Sequence, residues 1–157
     1  MTDRVVFVAG YSGRGKTALL VRLVERLKKR GLRVGVLKRS RSRARVEVAG
    51  TDTQRLYGAG ADAVGFVGPE ECFVRRRGPV DLAEAMGMLG EVDLVLVEGG
   101  KHLCGVKIWV GPGAEEGSGS LLAVVDGEPP SSDVPVLSHQ DVDRLVELIT
   151  DHLARGQ

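Results

Sequence analysis

The chain predicts an α/β fold, a mostly parallel sheet flanked by helices in a single domain, and three features of the sequence predict it. An apolar run at residues 4–9, an amphipathic run at 16–30 and a second apolar run at 33–38 read as strand, helix, strand. Such a crossover joins parallel strands. Val92 to Val97 is nearly all apolar and ends at the acidic Glu98, the pattern of a central parallel strand buried on both faces. With 157 residues the chain needs no second module, and a domain of that size buries about 70% of its unfolded surface.

Taken in order, residues 4–9 form a buried first strand. In the helix at 16–30, Leu19, Leu20, Leu23, Val24 and Leu27 recur at helical spacing, cations gather at the carboxyl end, and Gly31 stops it. The strand at 33–38 follows, then a polar, basic loop at 39–50. A short helix is expected at 51–57, strands at 63–67 and 72–77, and a helix at 80–89 after Pro79. Later strands are expected at 106–110, 121–125 and 134–137, and a closing helix at 140–154. Residues 111–120 contain four glycines and read as a turn or hairpin loop.

Hydrophobic residues are 43% and charged residues 27%, which excludes a disordered chain, and aromatics are only 4%, so the core is built from Val, Leu, Ala and Ile. A net charge of +1 gives no general pull toward nucleic acid or membrane. The apolar run at the amino terminus is too short for a signal peptide, and no stretch reaches the roughly 18 apolar residues of a membrane span. A cytoplasmic protein is expected. Cys72 and Cys104 stand apart, without metal-ligand spacing, and read as reduced thiols.

Gly10-Tyr-Ser-Gly-Arg-Gly-Lys16-Thr17 fits G-x-x-x-x-G-K-[ST] and lies between a strand and a helix, the context that the motif requires. Glycines let successive N–H groups turn inward, the helix adds its positive end, Lys16 reaches the β and γ phosphates, and the Thr17 hydroxyl ligates Mg²⁺. The fold is therefore expected to be P-loop nucleoside triphosphatase-like. The nucleotide-contacting set is Gly10, Ser12, Gly13, Arg14, Gly15, Lys16, Thr17 and Ala18. A carboxylate is also needed near the metal, at the carboxyl end of a neighbouring apolar strand. Glu98 occupies that position, whereas Asp93 is at the wrong end of the same strand. Asp52 either reaches the metal or serves as a first-turn aspartate favoured by the helix dipole.

At these residues the chain resembles the molybdopterin-guanine dinucleotide biosynthesis protein B (MobB) family. The carriers are the phosphate loop, Val34-Gly-Val-Leu-Lys38, Gly50-Thr-Asp52-Thr53-Gln-Arg55 with Gly58-Ala-Gly-Ala61, Asp93-Leu-Val-Leu-Val-Glu98-Gly99 with Lys101, and Lys107-Ile. The resemblance implies binding of GTP with Mg²⁺ and weak GTPase activity, with Asp52 and Glu98 as metal-side, catalytic carboxylates. It also implies a homodimer and a supporting role in joining GMP to molybdopterin, alongside the molybdenum cofactor guanylyltransferase. Where the family has a His-rich segment after the second strand, this chain has Arg39-Ser-Arg-Ser-Arg-Ala-Arg45.

Other features stay open at the level of sequence. The cations Lys38, Arg39, Arg41, Arg43 and Arg45 either form a solvated loop or grip phosphate, and they lack the interleaved aromatics of a nucleic-acid site. His102, His139 and His152 have no nearby nucleophile and read as ordinary histidines. There is no Asn-Lys-x-Asp to read guanine; Asp126, after the strand at 121–125, is either a base or ribose contact or a turn residue. Trp109 stands on the face of its strand opposite Val106, Ile108 and Val110, either at a dimer interface or under a helix of its own chain. A small-molecule kinase and a metal-delivery GTPase are the alternative functions.

Overall fold

The computed structural model describes residues 4–40, 51–114 and 119–156. They fall into two compact units, drawn from Met1–Ser40 with Ala85–Gln157 and from Arg41–Glu84.

The larger unit holds a six-stranded sheet. Its strands are β1 (Val5–Ala9), β2 (Val34–Lys38), β5 (Leu94–Glu98), β6 (Val106–Val110), β7 (Leu121–Val125) and β8 (Val136–Leu137), in the spatial order β2-β5-β1-β6-β7-β8. Every pairing between them is parallel. The parallel sheet with flanking helices expected from the sequence is present. Helices α1 (Lys16–Lys29) and α4 (Val142–Arg155) bury Leu19, Leu20, Leu23 and Leu27, and Val142, Leu145, Val146 and Ile149, in one cluster with Val6, Val8, Leu94, Leu96, Ile108 and Val110. Period-3.6 stripes thus meet the alternate residues of the strands on one face of the sheet. Each fully buried aliphatic side chain there contributes about 1.5–3 kcal/mol.

The opposite face is covered differently. β5 and β6 lie on either side of β1 but are joined only by residues 99–105, fewer than the dozen or so that a helical crossover takes. This connection passes over Phe7, whose ring fills the space where side chains at Gly100 and Gly105 would stand. Lys107 alternates with Val106 and Ile108 along β6 and so lies on the face away from them, yet it is only 1% exposed. Burial pushes its ammonium pKa down, against a smaller opposing pull from Cys104. Trp109 is 5% exposed, packed with Ala9 and Val124 and donating its indole N–H to the Pro112 carbonyl at 3.2 Å. Of the two places left open for Trp109, neither a dimer interface nor a helix of its own chain covers it: β6 is an internal strand, and neighbouring strands and loops of the same chain bury the ring. Beyond α3 (Leu82–Gly87), Leu89 lies against Gly35 of β2. This helix starts later than the expected 80–89 because Asp81 accepts from the Glu84 N–H at 2.8 Å, and it ends at Gly87.

The smaller unit contains α2 (Asp52–Gly58) and a separate antiparallel hairpin of β3 (Ala63–Val67) and β4 (Cys72–Arg76). Phe66 and Phe73 stack at 5.8 Å between centroids, and the guanidinium groups of Arg75 and Arg77 lie over the Tyr57 ring at 3.8 and 4.1 Å. The other face of the hairpin is open, with Val67 87% and Val74 75% exposed. Among the described residues no helix is long and apolar enough to cross a membrane.

Candidate functional site

The phosphate loop leaves the carboxyl end of β1, in the middle of the sheet, where ligands of open parallel sheets bind. It begins in backbone contact with β6: a Cβ at Gly10 would stand 2.2 Å from the Val110 carbonyl oxygen. It ends at Gly15, whose φ of 78° disfavours a side chain and which caps α1 without a side-chain hydrogen bond. The first-turn N–H groups of α1 are therefore left for an anion. Ser12, Gly13, Arg14 and Ala18 are exposed along the loop.

The Thr17 hydroxyl donates to Glu98 Oε2 at 2.8 Å, joining the start of α1 to the end of β5. Glu98 is mostly buried, and its other oxygen faces Lys38 Nζ at 3.4 Å. The Lys16 ammonium donates to the Tyr11 carbonyl, while the Lys101 ammonium lies 4.1 Å from the centre of the Tyr11 ring. Burial pushes the Lys16 pKa down; Lys38 and Lys101 add to this and Glu98 opposes it. An anion brought among these ammonium groups offsets the cost of burial by attraction and relieves the mutual repulsion. A hydroxyl and a carboxylate side by side are hard oxygen donors and fit Mg²⁺, which takes few protein ligands beside phosphate oxygens and water.

Asp93 lies at the far end of β5, where it accepts from the Arg33 main-chain N–H at 2.7 Å and from its guanidinium at 3.0 Å. Asp52 belongs to the smaller unit, in the first turn of α2; its exposed carboxylate is 3.7 Å from the Arg55 guanidinium. Of the basic run, Lys38 and Arg39 are described, whereas Arg41, Arg43 and Arg45 lie outside the described residues.

His139 is not an ordinary surface histidine. Its Nδ1 bonds the Asp126 carboxylate, and its Nε2 is buried without a partner, 2.8 Å from where a Cβ on Gly15 would be. The signal available in the sequence was its place just after the last strand, at the same sheet edge as the phosphate loop.

The model of the family described as Molybdopterin guanine dinucleotide synthesis protein B, MobB, matches residues 5–123. The chain belongs to the MobB family. It is 29% identical to the molybdopterin-guanine dinucleotide biosynthesis adapter protein of Escherichia coli K12, over 94% of this chain and 91% of the relative. It is 35% identical to the adapter protein of that name from Haemophilus influenzae, over 60% of this chain and 56% of the relative. The fold matches the crystal structure of Bacillus subtilis MobB with a TM-score of 0.78 at 22% identity, covering 95% of this chain and 97% of that one. A crystal structure of molybdopterin-guanine biosynthesis protein B matches with a TM-score of 0.75 at 29% identity, covering 96% and 99%. The MobB match ends at the middle of β7, so the Asp126–His139 pair lies beyond it.

Proposed function

We propose that the chain binds GTP with Mg²⁺ on residues 10–18 and acts as an adapter in molybdopterin guanine dinucleotide biosynthesis, assisting the attachment of GMP to molybdopterin. The observation that carries this reading is the Thr17–Glu98 contact beside Lys16, which gathers a phosphate cradle, a metal-ligating hydroxyl and a carboxylate at one sheet edge. In this reading Lys16 neutralises the outer phosphates, and Thr17 and Glu98 hold the metal. Bound Mg²⁺ would supply charge neutralisation on the phosphates, and hydrolysis is weak. Family membership supports the pathway; guanine and the molybdenum cofactor guanylyltransferase as partner rest on the resemblance noted above. The protein forms a homodimer in this reading, and the open face of the β3–β4 hairpin offers apolar surface for it.

Titration calorimetry of GTP with Mg²⁺ tests the site. Lys16→Ala is expected to weaken GTP binding about 10- to 100-fold, the worth of a charge-assisted contact, with the circular dichroism spectrum unchanged. A folded variant with parental affinity would remove Lys16 from the site.

A further inference from the structure

Given a triphosphate on the loop, which is the reading just proposed, Thr17 and Glu98 put its metal-bound end on the β5 side of β1. The remainder of the nucleotide then extends the other way, over the carboxyl ends of β6, β7 and β8. On that side the loops touch one another. A Cβ at Gly111, after β6, would meet the Arg14 side chain at 3.2 Å, and one at Gly127, after β7, would overlap the Gly111 carbonyl at 2.1 Å. Asp126 stands at the far end of this shelf. Its φ of 49° makes it the sole non-glycine residue with positive φ among the described residues, a conformation held by its N–H donating to the Leu137 carbonyl at 2.9 Å. One carboxylate oxygen is bonded to His139 Nδ1, half of the side chain is open to solvent, and the imidazole reaches back to Gly15. A single ring thus spans from the phosphate loop to the carboxylate.

We propose that Asp126 reads the base of the bound nucleotide, positioned by His139, and that this makes guanine the favoured base. An ionised carboxylate only accepts hydrogen bonds and has about four lone-pair sites, of which His139 uses one. Guanine presents its N1–H and its 2-amino group side by side, two donors matched to the free acceptor sites. Adenine presents a lone pair at N1 and is repelled. A site built around such a pairing discriminates strongly against the base that cannot make it.

Equilibrium binding of GTP, ITP, XTP and ATP with Mg²⁺ tests the assignment. The parent is expected to favour GTP over ITP, which lacks the 2-amino group, and over ATP. Asp126→Asn, whose amide can donate to the 2-oxo group of xanthine, is expected to shift the GTP to XTP preference toward XTP by about 10- to 100-fold. His139→Gln shifts the same ratio in the same direction by a smaller factor, which loss of packing alone would not do. A parent that binds GTP and ITP equally, or a folded Asp126→Asn with the parental GTP to XTP ratio, overturns the role of Asp126 while leaving the phosphate loop intact. An unchanged ratio in folded His139→Gln removes the imidazole from the proposal. A parent that binds none of the four overturns the nucleotide reading itself.

Discussion

Glu98 meets a hydroxyl through one oxygen and an ammonium through the other, so it is held in place before any metal arrives. Replacing it by Gln keeps the shape and removes the charge that a cation needs. Glu98→Gln is expected to lower Mg²⁺-dependent GTP hydrolysis at least about tenfold while changing GTP binding less. Single-turnover hydrolysis beside equilibrium binding separates the two quantities; parental turnover in the variant would take Glu98 out of the metal site. Glu98 and Lys16 could be read from the sequence because each follows from its own neighbours: an apolar strand before the one, a glycine loop before the other. His139 could not, because its meaning comes from contacts with Gly15 and Asp126 that are remote along the chain. Lys107 escaped for a related reason: alternation gives the face on which a side chain lies, but not whether a loop later covers that face.

At the level of elements, the turn that delivers His139 is set by Asp141. Its Oδ2 accepts from the Ser138 N–H at 2.7 Å and from the Ser138 hydroxyl at 2.8 Å, closing residues 138–141 ahead of α4. The Ser138 N–H, and then its hydroxyl, hold the Asp141 carboxyl below the usual carboxylate range. Because the folded-state pKa is depressed, the stabilisation is fully present above the ordinary carboxylate pKa of about 3.9 and is lost as pH falls through the folded value. Asp141→Asn should therefore lower the melting temperature at pH 7, and the gap to the parent should shrink below about pH 4. A gap that widened in acid would contradict the assignment. Strands β3, β6 and β7 match their sequence-based bounds because alternation and flanking turns define them, whereas α3 starts two residues late, where the Asp81 carboxylate accepts from its first turn. That β3 and β4 form their own hairpin follows from their four-residue connection, which closes an antiparallel pair but not a parallel one.

For the whole molecule, the surface of the proposed homodimer is what the sequence located least well. Trp109 is consumed by its own chain, whereas Val67 and Val74 on the hairpin are exposed. Sedimentation of the parent and of Val74→Asp is expected to give a dimer and a shift toward monomer; a monomeric parent, or a variant that stays fully dimeric, rules this surface out. β1, which opens the chain, is completed on both sides by strands that follow residue 93, and Thr17 waits for Glu98 in the same way. Pairings of such sequence separation must be closed at an entropic cost before they return stability, which makes assembly of the sheet slow. On the ribosome, β1 and the phosphate loop emerge long before β5 and β6, so the phosphate loop is the first part of the site to be made while the site itself is among the last to be finished.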